Sequence, residues 1–179
     1  MAISLAPPLL AAPLQTATLR AATLPGATLP GATLPGAKVL SIADGDTITV
    51  VEAGERVKVR LACIDAPELS QVPYGQSSRQ ALQALLPLGA QVSLRVKATD
   101  RYGRRVAELL KGKIDSKNNK NNINQLMIAS GQAFVYWNYI SACDRESYTK
   151  LEALARLKAL GIWAAPGGLG RPWQWRHQQ

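Results

Sequence analysis

Five charged residues in this sequence have the types and spacing to act on a phosphate ester. The stretch VKVRLACIDAPELS, residues 57–70, sets Arg60, Asp65 and Glu68 within nine positions of largely apolar sequence. Asp46 stands in DGDT, one strand earlier, and Arg104 in DRYGRR, after a later strand. Arginine presents a planar fork of donors that matches phosphate oxygens and stays charged at any pH relevant to a protein. Asp46 and Asp65, carboxylates from adjacent strands, would with backbone carbonyls and water form a site for a hard cation, calcium or magnesium. Cation and arginines would neutralise charge on a pentacoordinate transition state, while Glu68 takes a proton from the attacking water. Taken singly, each residue has an ordinary account: Asp-Gly forms turns, arginines snorkel over apolar neighbours, a glutamate after proline opens a helix, and exposed ion pairs are common. The combination is what points to phosphodiester cleavage.

Those residues need elements to position them. Val57, Val59 and Leu61 alternate with Lys58 and Arg60, which predicts a strand with Arg60 on the face opposite the apolar set. Pro67 ends that strand, so Asp65 and Glu68 fall at its end and in the following turn, where a rigid scaffold commonly presents reactive groups. Alternation over residues 39–62, broken by Asp44-Gly45 and Ala53-Gly54, predicts three antiparallel strands. Leu82, Leu85 and Leu86 predict a helix over 76–86, and two further strands are expected at 91–97 and 105–110, joined by ATDRYGR. Ile123, Leu126, Met127 and Ser130 mark one face of a second helix closed by Gly131. A third is expected over 145–160, with Tyr148, Leu151, Leu154, Ala155 and Leu157 available for burial. Five strands with one helix inserted and two following predict an α+β domain on a five-stranded OB-like β-barrel with three helices, although periodicity alone leaves other small sheet-plus-helix folds open.

The 179 residues carry 21 Lys and Arg against 12 Asp and Glu, a formal charge of +9. That balance favours a polyanionic partner, nucleic acid or an anionic membrane surface. No apolar run reaches the roughly 20 residues of a membrane-spanning helix. Residues 22–36 repeat ATLPG three times and read as an extended linker, with folded sequence expected from Ala37. Residues 1–17 are apolar enough for a secretory signal but lack a basic start and carry Pro7, Pro8 and Pro13, so both readings stay open. The expected organisation is a low-complexity segment at 1–37, a folded domain at 38–165 and a tail at 166–179. The Lys-Asn run KGKIDSKNNKNNIN reads as a solvated loop. Cys63 and Cys143 allow one disulfide or two buried thiols, and their spacing shows no metal-ligand pattern. His177, the single histidine, lies in the tail, which leaves no general base of the Ser-His or Cys-His kind. In RPWQWRHQQ, Trp173 and Trp175 either stack on substrate or pack on the barrel; spacing does not decide.

The chain from Val39 to Trp163 resembles the staphylococcal nuclease family, also called micrococcal nuclease or thermonuclease. The blocks IADGDT (42–47), VRLACIDAPE (59–68), YGQ (74–76), DRYGR (100–104), LMIASGQA (126–133) and LGIW (160–163) occur in the family's order. The second and fourth together are quite specific. The resemblance implies an OB barrel with three helices and calcium as cofactor, held by Asp46, Asp65 and the backbone carbonyl of Ala66. Since that third ligand is a carbonyl, alanine in place of the type member's threonine should be harmless. Arg60, Glu68 and Arg104 match the catalytic groups, Glu68 as general base and the arginines on the scissile phosphate. Asp100 and Tyr102 match residues near the substrate pocket, and Trp137 and Tyr139 fall where the family has two tyrosines beside the bound nucleotide.

The segment between Glu68 and Tyr74 is shorter than in the type member and the Lys-Asn loop is longer, which bears on substrate preference more than on chemistry. The type member has no cysteines. Cys63 just before Asp65, and Cys143 after an aromatic segment expected near the same pocket, suggest a disulfide that would favour an extracytoplasmic location; two free buried thiols would suit the cytoplasm. The expected function is a monomeric, calcium-dependent and largely sequence-nonspecific endonuclease on DNA and RNA, leaving 3′-phosphate ends. The competing expectation is an OB-fold module that binds nucleic acid or protein without cutting; the complete set Asp46, Arg60, Asp65, Glu68 and Arg104 argues against a lapsed site.

Overall fold

Alternating apolar residues build a barrel that two turns hold in register. In the computed structural model, which describes residues 33–111, 121–166 and 168–178, the elements in order are β1 (Thr33–Ile42), β2 (Thr47–Glu52), β3 (Glu55–Leu61), β4 (Ile64–Asp65), α1 (Tyr74–Leu85), β5 (Gln91–Thr99), β6 (Arg105–Lys111), α2 (Ile123–Ala129), β7 (Phe134–Val135), α3 (Arg145–Leu157) and α4 (Pro172–Arg176). The segment read as a signal or linker through residue 32, and residues 112–120 of the Lys-Asn run, lie outside the described residues. Ala53 and Gly54 take positive φ, 49° and 85°, and make the two-residue turn that matches the twist of β2 and β3. At the β5–β6 turn, Asp100 Oδ1 accepts the backbone N–H of Tyr102 (2.9 Å) and of Arg104 (3.0 Å).

The strands close in the order β1-β2-β3-β6-β5, with β5 pairing back onto β1. One neighbouring pair is parallel: β3 and β6 align Val59 with Arg105, Arg60 with Val106 and Leu61 with Ala107. This is the expected five-stranded OB-type barrel. Closure leaves the barrel itself without a free edge, and the inward residues Ile48, Val50, Val59, Leu61, Leu94 and Leu109 are all buried. Ile123 and Met127 of α2 join the same core.

The structure departs from the sequence reading in four places. β1 begins at Thr33, inside the last ATLPG copy. β4 and β7 form a separate two-stranded ladder, pairing Ile64 with Val135 and Asp65 with Phe134; strands of two residues are too short to show a period. Within the expected tail, for which no element was predicted, residues 172–176 form the short α4, opened by Pro172 at its first position. On α3, Leu154 and Leu157 are 44% and 81% exposed. Its buried stripe is Tyr148, Glu152 and Ala155, because two polar groups have partners inside: the Tyr148 hydroxyl donates to Glu108, and Glu152 accepts the Val135 N–H at 2.9 Å. Those partners turn the leucines outward.

Glu108 on β6 ties barrel to helices. Its carboxylate is buried and accepts from Lys97 Nζ (2.9 Å), Asn122 Nδ2 (2.8 Å) and the Tyr148 hydroxyl (2.9 Å). Burial alone would push its pKa up, but Lys97, Asn122 and Tyr148 outweigh it and hold the carboxyl below its ordinary value of 4.5. A carboxylate with a depressed folded pKa stabilises the fold above its unfolded pKa and loses that contribution as pH falls through the folded one. Glu108→Ala strands Lys97 and Tyr148 without their acceptor and should cost about 3–5 kcal/mol in denaturant unfolding. Glu108→Gln should flatten the acid limb of the stability profile; an unchanged limb would show that Glu108 is not the group being protonated.

Candidate active site

Three chain segments meet at one end of β3. Arg60 leaves the barrel wall on β3; the chain then bends at Cys63, whose φ is 65°, into β4, where Asp65 is fully buried. The Asp44-Gly45-Asp46 turn closes on this bend from β2. A Cβ on Gly45 would lie 2.7 Å from the Ala66 methyl, so only glycine lets the turn approach this closely. Asp46 is pinned on both carboxylate oxygens: Oδ2 accepts the Ala66 N–H at 2.8 Å and Oδ1 the Thr47 hydroxyl at 3.1 Å.

Arg60 joins the two aspartates. Its guanidinium is ion-paired with Asp46 and donates to Asp65 Oδ1 at 2.5 Å. Asp44 adds a third carboxylate, accepting the Asp46 N–H at 3.0 Å; burial and the charge of Asp46 push its pKa up to about 6. Asp65 is also pushed up, by burial and by Asp46, against the opposing pull of Arg60 and Arg176. Burial would lower the Arg60 pKa, but Asp46, Asp65 and Asp44 outweigh it and raise it. Three carboxylates thus stand around the single charge of Arg60.

Glu68 sits at the rim in the turn after Pro67. Its N–H donates to Gln71 Oε1 at 3.0 Å and its carbonyl accepts the Gln71 N–H at 2.8 Å, fixing the turn. Its carboxylate receives Arg176 Nη1 at 2.5 Å, and the same guanidinium reaches Asp65 Oδ1 at 3.2 Å and Oδ2 at 2.9 Å. These carboxylates, led by Asp65, raise the Arg176 pKa although burial would lower it.

Of the residues expected from sequence, Asp46, Arg60, Asp65, Ala66 and Glu68 thus form one cluster. Arg104 belongs to a neighbouring group on the β5–β6 turn, where its Nε donates to Asp100 Oδ2 at 2.7 Å and its guanidinium lies 5.4 Å from the Tyr102 ring. The parallel pairing of β3 with β6 brings that turn alongside β3. The small burial of Asp100 would raise its pKa, but hydrogen bonds from Arg104 and Tyr102 hold it below the usual range. Trp137 and Tyr139 lie on the 3-10 turn Trp137–Ala142 after β7, 44% and 60% exposed. Cys63 and Cys143 are joined by a disulfide, with Cα atoms 6.4 Å apart, that ties the end of this turn to the bend before Asp65. Asp44, Gln71 and Arg176 were not anticipated. Asp44 had been read as a turn-former, and Arg176 lies 108 positions from Glu68, so no local spacing could connect them.

Among the described residues no three Asp, Glu, His or Cys side chains converge as a ready-made metal cluster, and the aspartates meet around Arg60 instead. The donor chemistry nonetheless fits a hard cation: Asp46, Asp65 and the neighbouring backbone offer oxygen only.

An OB barrel with buried aspartates and arginines at the strand ends offers oxygen donors to a cation and guanidinium donors to a phosphate ester. The model of the staphylococcal nuclease homologue family matches residues 58–165. The chain is 37% identical to a protein named micrococcal nuclease from Shigella flexneri over 141 residues, 78% of this chain and 79% of the relative. It is 37% identical over 143 residues to Protein ParB of Escherichia coli, covering 79% and 78% of the two chains. An uncharacterized endonuclease of Haemophilus influenzae is also 37% identical over 143 residues, covering 79% and 73%. This chain belongs to the staphylococcal nuclease family, and it is accordingly a nuclease hydrolase of the endonuclease type.

The disulfide closes a loop of 80 positions between the aromatic turn and the bend before Asp65. Thiol titration of the denatured, unreduced protein should find no free thiol. Reduction should lower unfolding stability by up to about 4 kcal/mol; two titratable thiols before reduction would contradict the bridge.

Proposed function

We propose that this chain is a calcium-dependent, largely sequence-nonspecific endonuclease that hydrolyses DNA and RNA and leaves 3′-phosphate ends. The observation that carries the reading is the Arg60 guanidinium set between buried Asp46 and Asp65, with Glu68 on the adjoining turn. Asp46, Asp65 and the Ala66 carbonyl would hold the cation, which when bound supplies positive charge beside the phosphate. The remaining work falls to the chain's own side chains. Arg60, held in place by Asp46 and Asp65, offers its remaining N–H donors to the non-bridging oxygens, and Arg104, oriented by Asp100, binds the phosphate from the β5–β6 turn. Glu68, 35% exposed at its side chain, takes a proton from the attacking water. The water oxygen forms the new bond to phosphorus, the bond to the 5′ oxygen breaks, and the leaving oxygen picks up a proton.

Tyr102, Trp137 and Tyr139 are exposed rings on which bases can stack whatever their sequence. The net charge of +9 draws polyanions to the molecule, and contacts to phosphate carry little base information. Among the described residues no helix is long and apolar enough to cross a membrane. We further propose an extracytoplasmic location, supported by the disulfide, and a monomeric state.

The test is cutting of single-stranded DNA, duplex DNA and RNA with calcium or with excess chelator, beside Glu68→Gln. Cutting should require calcium and fall by about 10²–10⁴-fold in the variant. Salt-sensitive binding without cutting under any condition would make the chain a binding module and overturn the proposal.

A further inference from the structure

The C-terminal segment is fastened to the two elements that flank Asp65. Gln71, buried beside Glu68, donates from Nε2 to the Gly170 carbonyl at 2.8 Å. Arg171 lies over Phe134 of β7 at 4.3 Å, and Trp173 stacks on Tyr136, ring centroids 5.3 Å apart and planes 14° from parallel. Trp175 Nε1 donates to the Ser70 hydroxyl at 3.0 Å. The anchors hold α4 so that the guanidinium of Arg176, its last residue, reaches the carboxylates although its side chain stays 41% exposed.

Arg176 occupies both carboxylate oxygens of Asp65, one of the groups assigned to the cation. Asp65 Oδ2 receives Arg176, Asp65 Oδ1 receives both Arg176 and Arg60, and Glu68 receives Arg176 as well. The local charges are four carboxylates, Asp44, Asp46, Asp65 and Glu68, with two guanidinium groups among them. A divalent ion on Asp65 and the Arg176 guanidinium would compete for the lone pairs of one carboxylate and repel each other as like charges. The tie to Glu68 likewise takes up an oxygen that would have to accept a proton.

We propose that Arg176 is a tethered competitor of the divalent cation: α4 holds its guanidinium on Asp65 and Glu68, and cation binding displaces it. This rests on the cation site assigned above. The segment residues 170–176 then acts as a latch, which keeps the buried carboxylates balanced without cation and opens Glu68 when cation enters. Because the cation binds only the population with Arg176 released, apparent affinity falls by the fraction released.

Calorimetric titration of the full chain with calcium, without substrate, tests this. Arg176→Ala should bind calcium about tenfold more tightly than the unsubstituted chain. Trp173→Ala, which loosens the anchor and leaves every carboxylate in place, should shift affinity in the same direction. Tryptic cleavage after Arg176, followed by mass and normalised to cleavage after Arg156, should quicken with calcium. Equal or weaker calcium binding in Arg176→Ala, with normal binding by the unsubstituted chain, would overturn the latch and leave the cation site standing. Absence of calcium binding in all three proteins would overturn the cation site and the latch with it.

Discussion

The arrangement depends on the guanidinium of Arg60 lying between the carboxylates of Asp46 and Asp65 at the end of the barrel. Taking such charges out of water costs several kcal/mol per ion, and mutual attraction recovers this only where geometry is tight and spare lone pairs are filled. The surroundings meet that requirement. The Ala66 N–H and Thr47 hydroxyl fill Asp46, and the close approach at Gly45 holds its turn in place. For Asp65, the β4–β7 ladder fixes the backbone while the barrel fixes Arg60. A site that preorganises positive charge before substrate arrives avoids reorganisation during the reaction, which is where electrostatic catalysis gains most.

The barrel and the helices are coupled through a second buried carboxylate of opposite character. Glu108 is satisfied by Lys97, Asn122 and Tyr148 and sits below its ordinary pKa, whereas Asp44 and Asp65 sit above theirs. One group is compensated by its neighbours and reads as structural. The others are raised first by burial and then by the charge of Asp46, a pattern that clusters at functional sites.

Much of this was legible in the sequence because it is periodic or local. Alternation around Val57, Val59 and Leu61, with the Asp44-Gly45 and Ala53-Gly54 turns, gave the first three strands, and Arg60, Asp65 and Glu68 lie close enough in sequence to be read as one set. What stayed hidden was non-local. A two-residue strand such as β4 has no period, and the burial of Glu152 in place of Leu154 follows from a partner on β7 that no helical pattern encodes. Arg176 reaches the site only because Trp173, Trp175 and Gln71 hold α4 there; in sequence it is one arginine of a basic tail.

The central claim is that the three buried charges are kept for chemistry rather than for the fold. The combined variant Asp46→Asn, Arg60→Met, Asp65→Asn removes all three while keeping their approximate shapes, and its unfolding free energy should be measured beside its cutting of single-stranded DNA. The account predicts a folded protein within about 1 kcal/mol of the original stability, or above it, because the buried Asp46, Arg60 and Asp65 charges leave together and Asp44, with a pKa already raised to about 6, can take up a proton, with cutting abolished. Stability lost by several kcal/mol, or cutting retained, would contradict it.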